Sequence, residues 1–172
     1  INEGKRVALI SDAGTPLVSD PGYKLVREAL EQGLYVTAIP GASSVLAALC
    51  LSGLPSDSFY FGGFLPAKAE ALKKHIASLA NIPATLIFFE SARRLEESLA
   101  ALRDGLSDRQ AAIVRELTKL YEESKRGKLS ELLDNIQKNG APKGEVVIVI
   151  SPPQALEAIN NENIEAQLTI LS

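Results

Sequence analysis

Val7-Ala-Leu-Ile-Ser-Asp-Ala-Gly-Thr-Pro-Leu-Val-Ser-Asp-Pro-Gly22 decides the fold class, because four apolar residues run straight into a polar loop broken by Gly and Pro. A buried-type strand that ends in such a loop and leads into a helix is a β-loop-α unit. Asp20 is placed as the N-cap, Pro21 as the first helical residue, and Gly33 as the stop after the amphipathic segment Tyr23 to Gln32. The unit then recurs: Leu34 to Ile39 is a second strand, Pro40-Gly41-Ala42-Ser43-Ser44 a second tight loop, and Val45 to Leu51 a second helix. Two consecutive units predict parallel strands, with both loops leaving the carboxyl edge where ligands sit in open α/β sheets. The stretch Asp12, Ala13, Gly14, Thr15, Pro16, Leu17 and the stretch Pro40, Gly41, Ser43, Ser44 are therefore expected to face a shared crevice. Ordinary turn chemistry is the plainer account of the same residues. Neither loop is G-x-G-x-x-G or G-x-x-x-x-G-K-[ST], so neither phosphate-cradling mechanism is supported.

The composition is that of a globular chain: 172 residues, 46% hydrophobic and 23% charged. No apolar run approaches the roughly 20 residues that span a bilayer, so no membrane partner is expected. One cysteine, Cys50, and one histidine, His75, can build neither a disulfide framework nor a His/Cys metal cluster, and no metal is expected. Cys50 lies in an apolar helix and is read as a core residue. The chain shows no secretory signal, which favours the cytoplasm. It opens on Ile1 and holds no methionine. A parallel sheet of two strands cannot cover itself, so residues 1–54 are read as the back part of an α/β lobe with further strands expected before Ile1.

Gly53-Leu-Pro-Ser-Asp57 clusters breaker residues and marks a boundary. The second lobe, 55–152, is read as a mixed sheet with strands at Phe59 to Phe61, Thr85 to Phe89, Ala111 to Arg115 and Glu145 to Ile150. A further strand is expected around Tyr121 to Arg126, with Gly127 closing a turn. Helices fall at Lys68 to Leu79, Ala92 to Leu102 and Leu129 to Gln137, and residues 153–172 form a polar, weakly amphipathic tail. The class is thus α/β and two-lobed: a truncated parallel lobe followed by a mixed-sheet lobe.

The net charge of -3 does not announce a nucleic-acid partner. Fourteen of the 18 Lys and Arg nevertheless lie between Pro55 and Pro152, against 13 of the 21 acids, which leaves that lobe slightly basic. Lys68, Lys73 and Lys74 form one cluster and Arg93 and Arg94 another; a solvated helix face is the plainer account of each. Glu90 and Glu116 end apolar strands. They are read either as acid/base groups or as strand-end carboxylates paired with Arg93, Arg94, Arg115 or Lys119, since buried ends seldom keep an unpaired charge. Gly144, just before a long apolar strand, is a turn residue or a point of close backbone approach.

Seven ordered segments carry a resemblance: S-D-A-G-T-P-L-V-S-D-P-G-Y (11–23), I-P-G-A-S-S (39–44), G-L-P-S-D-x-F (53–59), F-x-G-F-L-P-x-K (61–68), I-F-F-E-S-x-x-R-L (87–95), R-E-L-T-K-x-Y-E-E (115–123) and K-G-E-V-V-I-V-I (143–150). Together they resemble a branch of bacterial small-subunit ribosomal RNA methyltransferases within the tetrapyrrole (corrin/porphyrin) methylase superfamily. The resemblance implies a two-lobed, S-adenosylmethionine-dependent enzyme, usually a homodimer, that methylates the 2′-oxygen of a cytidine ribose. By it, Gly14-Thr15-Pro16 matches the superfamily's Gly-Asp-Pro loop and Ser43-Ser44 its Thr/Ser pair, both cofactor contacts. Glu90 falls where relatives touch the methionine part, and Thr118 and Gly144 in loops that approach the adenosine.

Two departures stand beside it. The family commonly reads E-S-P-H-R-L where this chain has Glu90-Ser91-Ala92-Arg93-Arg94-Leu95, and the family's Gly-rich first loop is expected before Ile1. Methyl transfer to a ribose oxygen needs alignment and a proton acceptor. Glu116, Glu90 and Asp12 are the candidate bases, and Lys119 an electrostatic helper. Ribosomal RNA is expected over Lys68, Lys73, Lys74, Arg93 and Arg94, with Phe64 and Tyr121 to stack on bases. A small-molecule tetrapyrrole methylase and a non-catalytic fragment that dimerises or binds RNA are the alternatives.

Overall fold

A computed structural model describes residues 4–153. The expected tail helix at 154–172 lies outside the described residues. The chain divides into two compact units, one ending at Ser44 and one beginning at Val45. The sequence reading places the boundary ten residues later, after the apolar helix. That helix, α2 (Ser44–Ser52), belongs with the second unit because Val45, Ala48 and Leu49 pack against its sheet.

The first unit holds one helix, α1 (Tyr23–Glu31), with Gln32 as its C-cap. Gly22, not Asp20, is the N-cap, and Pro21 stands outside the helix. Gly22 takes φ +128, and a Cβ there would run into the Leu9 side chain, so only glycine allows the chain to turn into α1 at this point. Gly33 follows at φ +70 with its N–H on the Leu30 carbonyl, which is the stop expected from sequence. The two expected strands are corrected. Residues 7–10 and 34–39 have no ladder among the described residues. A strand exists only by pairing, and neither run finds a ladder partner among the described residues; Ile10 and Ile39 stand 85% and 89% exposed.

The second unit is a five-stranded mixed sheet in the order β1-β2-β5-β3-β4. Its strands are β1 (Phe59–Phe64), β2 (Thr85–Ser91), β3 (Gln110–Arg115), β4 (Glu123–Lys128) and β5 (Glu145–Ile150). β1 and β2 are parallel, joined by α3 (Ala69–Leu79); every other pair is antiparallel. β5 is the last strand among the described residues but the central one in space. Its run Val146 to Ile150 is buried throughout, which is why it reads as continuously apolar instead of alternating.

Alternation along the other strands splits the core in two. Leu86, Phe88, Ile113, Val146 and Ile148 meet α3, α4 (Leu95–Leu106) and α5 (Leu129–Asn139) on one face. Ile87, Ala112, Val114, Val147 and Val149 meet α2 on the other. Burial of about a dozen such side chains, at roughly 1.5–3 kcal/mol each before entropy is charged, dominates the unit's stability.

Three further expectations change. β4 begins two residues later than the sequence reading and runs through Gly127, which is a strand residue and not a turn. As an edge strand, with Lys125, Arg126 and Lys128 in six residues, it lacks the apolar signal that would have fixed its register. Arg126 caps the end of α2 by donating to the carbonyls of Leu51 and Ser52. Cys50 is exposed, because Val45, Ala48 and Leu49 are the α2 residues that face the sheet.

Candidate functional site

The register brings the ends of several strands to one edge of the second sheet. Phe64 pairs with Phe89, Ser91 with Glu145, and Arg115 with both Val146 and Glu123. Five of the expected site residues, Glu90, Glu116, Thr118, Lys119 and Gly144, therefore lie along or just beyond this edge, together with the end of β1 that leads to Lys68.

Glu116 organises one half of the edge. Its N–H donates to the Glu145 carbonyl, and its Oε1 accepts from the Glu145 N–H at 3.0 Å and from Lys119 Nζ at 3.2 Å. Those donors, the Glu145 N–H first and Lys119 second, hold its carboxyl below the usual carboxylate range. Lys119 also bonds Glu145 Oε2 at 3.1 Å, and its two carboxylate partners raise it above the ordinary lysine value. Gly144, at φ +99, lies directly against this carboxylate: a Cβ there would come within 2.5 Å of Glu116 Cδ. The close approach foreseen for Gly144 is therefore made by a side chain of the protein itself.

The segment that follows is tightly wound. Glu116 and Thr118 both have positive φ, +49 and +64, which for a β-branched Thr is a strained conformation. Thr118 N–H donates to Glu122 Oε2 at 2.6 Å, so the turn is closed by its own carboxylate. Leu120 and Tyr121 project from it, Tyr121 being 68% exposed. Glu123 is held below the carboxylate range by Arg115, 2.7 Å away.

Glu90 organises the other half and is only 2% exposed. Its Oε1 accepts the Ser91 N–H at 2.7 Å, its Oε2 the Ser98 hydroxyl at 2.5 Å, and Arg94 lies 3.5 Å away. Arg94 reaches further, donating to the carbonyls of Leu65 at 3.1 Å and Pro66 at 2.7 Å. The sequence reading named the Glu90–Arg94 and Glu116–Lys119 pairings as the plain alternative to catalysis, and both are present. Ser98 and the Leu65 and Pro66 carbonyls were missed. The four-residue spacing of Glu90 and Arg94 was the one available signal, since it allows an ion pair along a turn.

Lys68, Lys73, Lys74 and Arg93 are exposed and make no ion pair among the described residues. Lys68 and Lys74 line one shallow depression with Ala69, Glu70 and Ala71. Phe64 is 61% exposed and packs edge-on against Phe89 at 5.5 Å.

In the first unit the two Gly/Pro loops meet, as expected from sequence: Thr15 Oγ1 donates to the Ala42 carbonyl at 2.9 Å. Gly14 has φ +76, and the nearest atom to a Cβ there is Ala42 O at 3.9 Å, so the space beside its Cα is open. Asp12 is exposed and without a partner among the described residues. Pro16 and Leu17 are half-buried and Pro40 and Gly41 exposed. Ala13 accepts the Ser11 hydroxyl.

A mixed sheet covered by helices on both faces, with charged and glycine-bearing loops gathered at one edge, defines an α/β protein. The chain matches the family of Tetrapyrrole (Corrin/Porphyrin) Methylases over residues 1–133 and belongs to it. Proteins named Ribosomal RNA small subunit methyltransferase I are similar to it. That of Mesorhizobium japonicum is 56% identical over 153 residues, covering 88% of this chain and 52% of the relative. That of Rickettsia prowazekii is 49% identical over 151 residues, covering 88% and 54%. The chain thus spans about half the length of these relatives. Among solved structures, the methyltransferase CobJ has a TM-score of 0.64 at 22% identity, over 88% of this chain and 66% of that one. A Thermus thermophilus uroporphyrin-III C-methyl transferase complexed with S-adenosyl homocysteine has a TM-score of 0.52 at 20% identity, over 79% and 62%. These two show the fold. No helix among the described residues is long and apolar enough to cross a membrane.

Proposed function

We propose that this chain forms part of an S-adenosylmethionine-dependent methyltransferase that modifies the 2′-oxygen of a cytidine ribose in small-subunit ribosomal RNA. The observation that carries the reading is the 56% identity, over 88% of the chain, to the Mesorhizobium japonicum relative of that name. The reading places the protein in the cytoplasm as a homodimer.

The loops fit a cofactor with polar edges. Gly14 leaves the space beside its Cα open, Thr15 ties the loop to Ala42, and residues 12–17 and 40–44 offer backbone donors and acceptors around it. When bound, S-adenosylmethionine supplies a methyl group on a positively charged sulfur. In this assignment Gly14, Thr15 and Pro16 hold its polar edge with Pro40, Gly41, Ser43 and Ser44.

A carboxylate must accept the hydroxyl proton. Glu90 is enclosed and fully bonded, and Glu116 is held below the usual range, which weakens it as a base. Asp12, exposed and unpaired among the described residues, is the base this reading favours. Lys119, held protonated between Glu116 and Glu145, supplies positive charge at the strand ends. Lys68, Lys73, Lys74 and Arg93 contact phosphates, and Phe64 and Tyr121 stack on bases.

The test is transfer of labelled methyl from S-adenosylmethionine by the polypeptide as its organism makes it. It is offered small ribosomal subunits and, separately, a uroporphyrinogen-type tetrapyrrole. Label on one cytidine ribose supports the reading. Label on the tetrapyrrole assigns the protein to small-molecule methylation, and RNA binding without transfer to either assigns it a non-catalytic role.

A further inference from the structure

The ladder between β1 and β2 breaks near the end of β1: its register shifts between Phe61 and Phe64, and Gly63 takes φ +66. The ladder resumes for the Phe64–Phe89 pair and ends there, so beyond Phe64 the sheet no longer fixes the chain. Arg94 takes over, since its Nη1 and Nη2 donate to two consecutive carbonyls, Leu65 and Pro66. Only a guanidinium carries two such donors on a rigid plane; a lysine ammonium at the same place could not hold both at once with the same geometry. Arg94 is itself anchored by Glu90, whose other bonds to Ser91 and Ser98 leave it one fixed orientation. The segment so held begins with the exposed ring of Phe64 and ends with exposed Lys68 at the N-cap of α3, and exposed Arg93 immediately precedes Arg94 in the chain. A ring and a cation on one short stretch, with a second cation next to the residue that holds that stretch, fit a single-stranded nucleic acid, which needs a stacking surface and phosphate contacts in fixed relation.

We propose that Arg94 is a positioning residue, locked by Glu90, that holds Phe64 to Lys68 in the attitude that receives the RNA substrate, rather than a phosphate contact itself. The proposal rests on the RNA-methylating reading above. Its logic is geometric: the net charge of Arg94 is already countered by Glu90, whereas its two-pronged shape is what the segment needs.

The test uses Arg94→Lys, Arg94→Gln, Glu90→Gln and, for contrast, Arg93→Ala, in the polypeptide as its organism makes it. Binding of small-subunit ribosomal RNA is followed over a salt series, KM and kcat are separated, and backbone amide exchange is read at Phe64, Leu65, Ala67 and Lys68. Arg94→Lys, which keeps the charge, is expected to bind RNA roughly tenfold more weakly, the size of losing charged hydrogen bonds to buried acceptors. The loss enters through the KM for RNA, and exchange at the four amides quickens. Arg94→Gln leaves the slope of log affinity against log salt as in the parent, while Arg93→Ala reduces it by about one. Glu90→Gln, which preserves shape, repeats the Arg94→Lys pattern more weakly. Parental RNA affinity in Arg94→Lys, or a salt slope in Arg94→Gln reduced as in Arg93→Ala, overturns the proposal. If the parent itself neither binds nor methylates RNA, the functional reading falls, and the clamp is then decided by amide exchange: unchanged rates in Arg94→Lys overturn it too.

Discussion

Gly144 and Gly14 look alike in sequence and differ in what surrounds them. At Gly144 any side chain must both adopt φ +99 and displace the Glu116 carboxylate, which in turn holds Lys119. Gly144→Ala is therefore expected to cost about 1–3 kcal/mol, read as a lower urea midpoint with an unchanged slope. At Gly14 there is room for a Cβ but the backbone is left-handed, so Gly14→Val strains the loop and covers the peptide assigned to the cofactor. Calorimetry with S-adenosylhomocysteine should show its affinity lost, and urea unfolding should show a stability loss of about 1–3 kcal/mol from the strained backbone. Parental affinity would move the cofactor elsewhere. Spacing alone could not separate these two glycines, because what distinguishes them is a neighbour 28 residues earlier in one case and open space in the other.

Among elements, the turn 116–123 and helix α3 carry the charge-dependent behaviour. Glu116, Glu123 and Asp108 are all held below the usual carboxylate range by their native partners, Glu145 N–H, Arg115 and Ser130 respectively. Groups depressed in the folded state contribute stability that is present above the unfolded carboxylate value and lost as pH falls through the folded ones. Chemical stability should thus fall away below about pH 4, and Glu116→Gln should make that decline shallower. Lys119 has the opposite sign: its stabilisation is present below the unfolded lysine value and disappears only as pH rises past the raised folded one. On α3, Lys73→Glu with Lys74→Glu reverses two exposed cations that make no ion pair among the described residues, and should weaken RNA binding and its salt dependence without touching cofactor affinity. An unaltered salt slope takes α3 out of the interface. Elements were legible in proportion to their burial. β2 and β5 stand out as apolar runs, whereas β4, an edge strand of charged residues, was read two positions early. The runs 7–10 and 34–39 carry the same apolar signal as β5 and yet form no ladder, because composition records a tendency to be buried and pairing requires a partner.

For the whole molecule, the family could be read from seven short segments, while the sheet order could not. Order is set by which side chains pack together across long sequence separations, and no local pattern states that a strand at 145–150 lies between strands at 85–91 and 110–115. Arg109 shows the same dependence. It is buried, and it joins the Leu106, Ala80 and Ser151 carbonyls from three parts of the chain. Arg109→Ala should leave those carbonyls unsatisfied and lower the thermal midpoint by several degrees, about what a loss of 1–3 kcal/mol produces in a domain of this size.

The central place of β5 also bears on how the protein comes off the ribosome. Until residues 145–150 emerge, β1 with β2 and β3 with β4 are two separate ribbons, each only marginally stable alone and each offering an open edge. The sheet closes in one late event, when the final strand slots between them and satisfies both edges at once. Synthesis halted after Lys143 would leave a nascent chain whose strongest unsatisfied demand is for a strand from any source, so the interval before β5 arrives is when this protein most needs a chaperone.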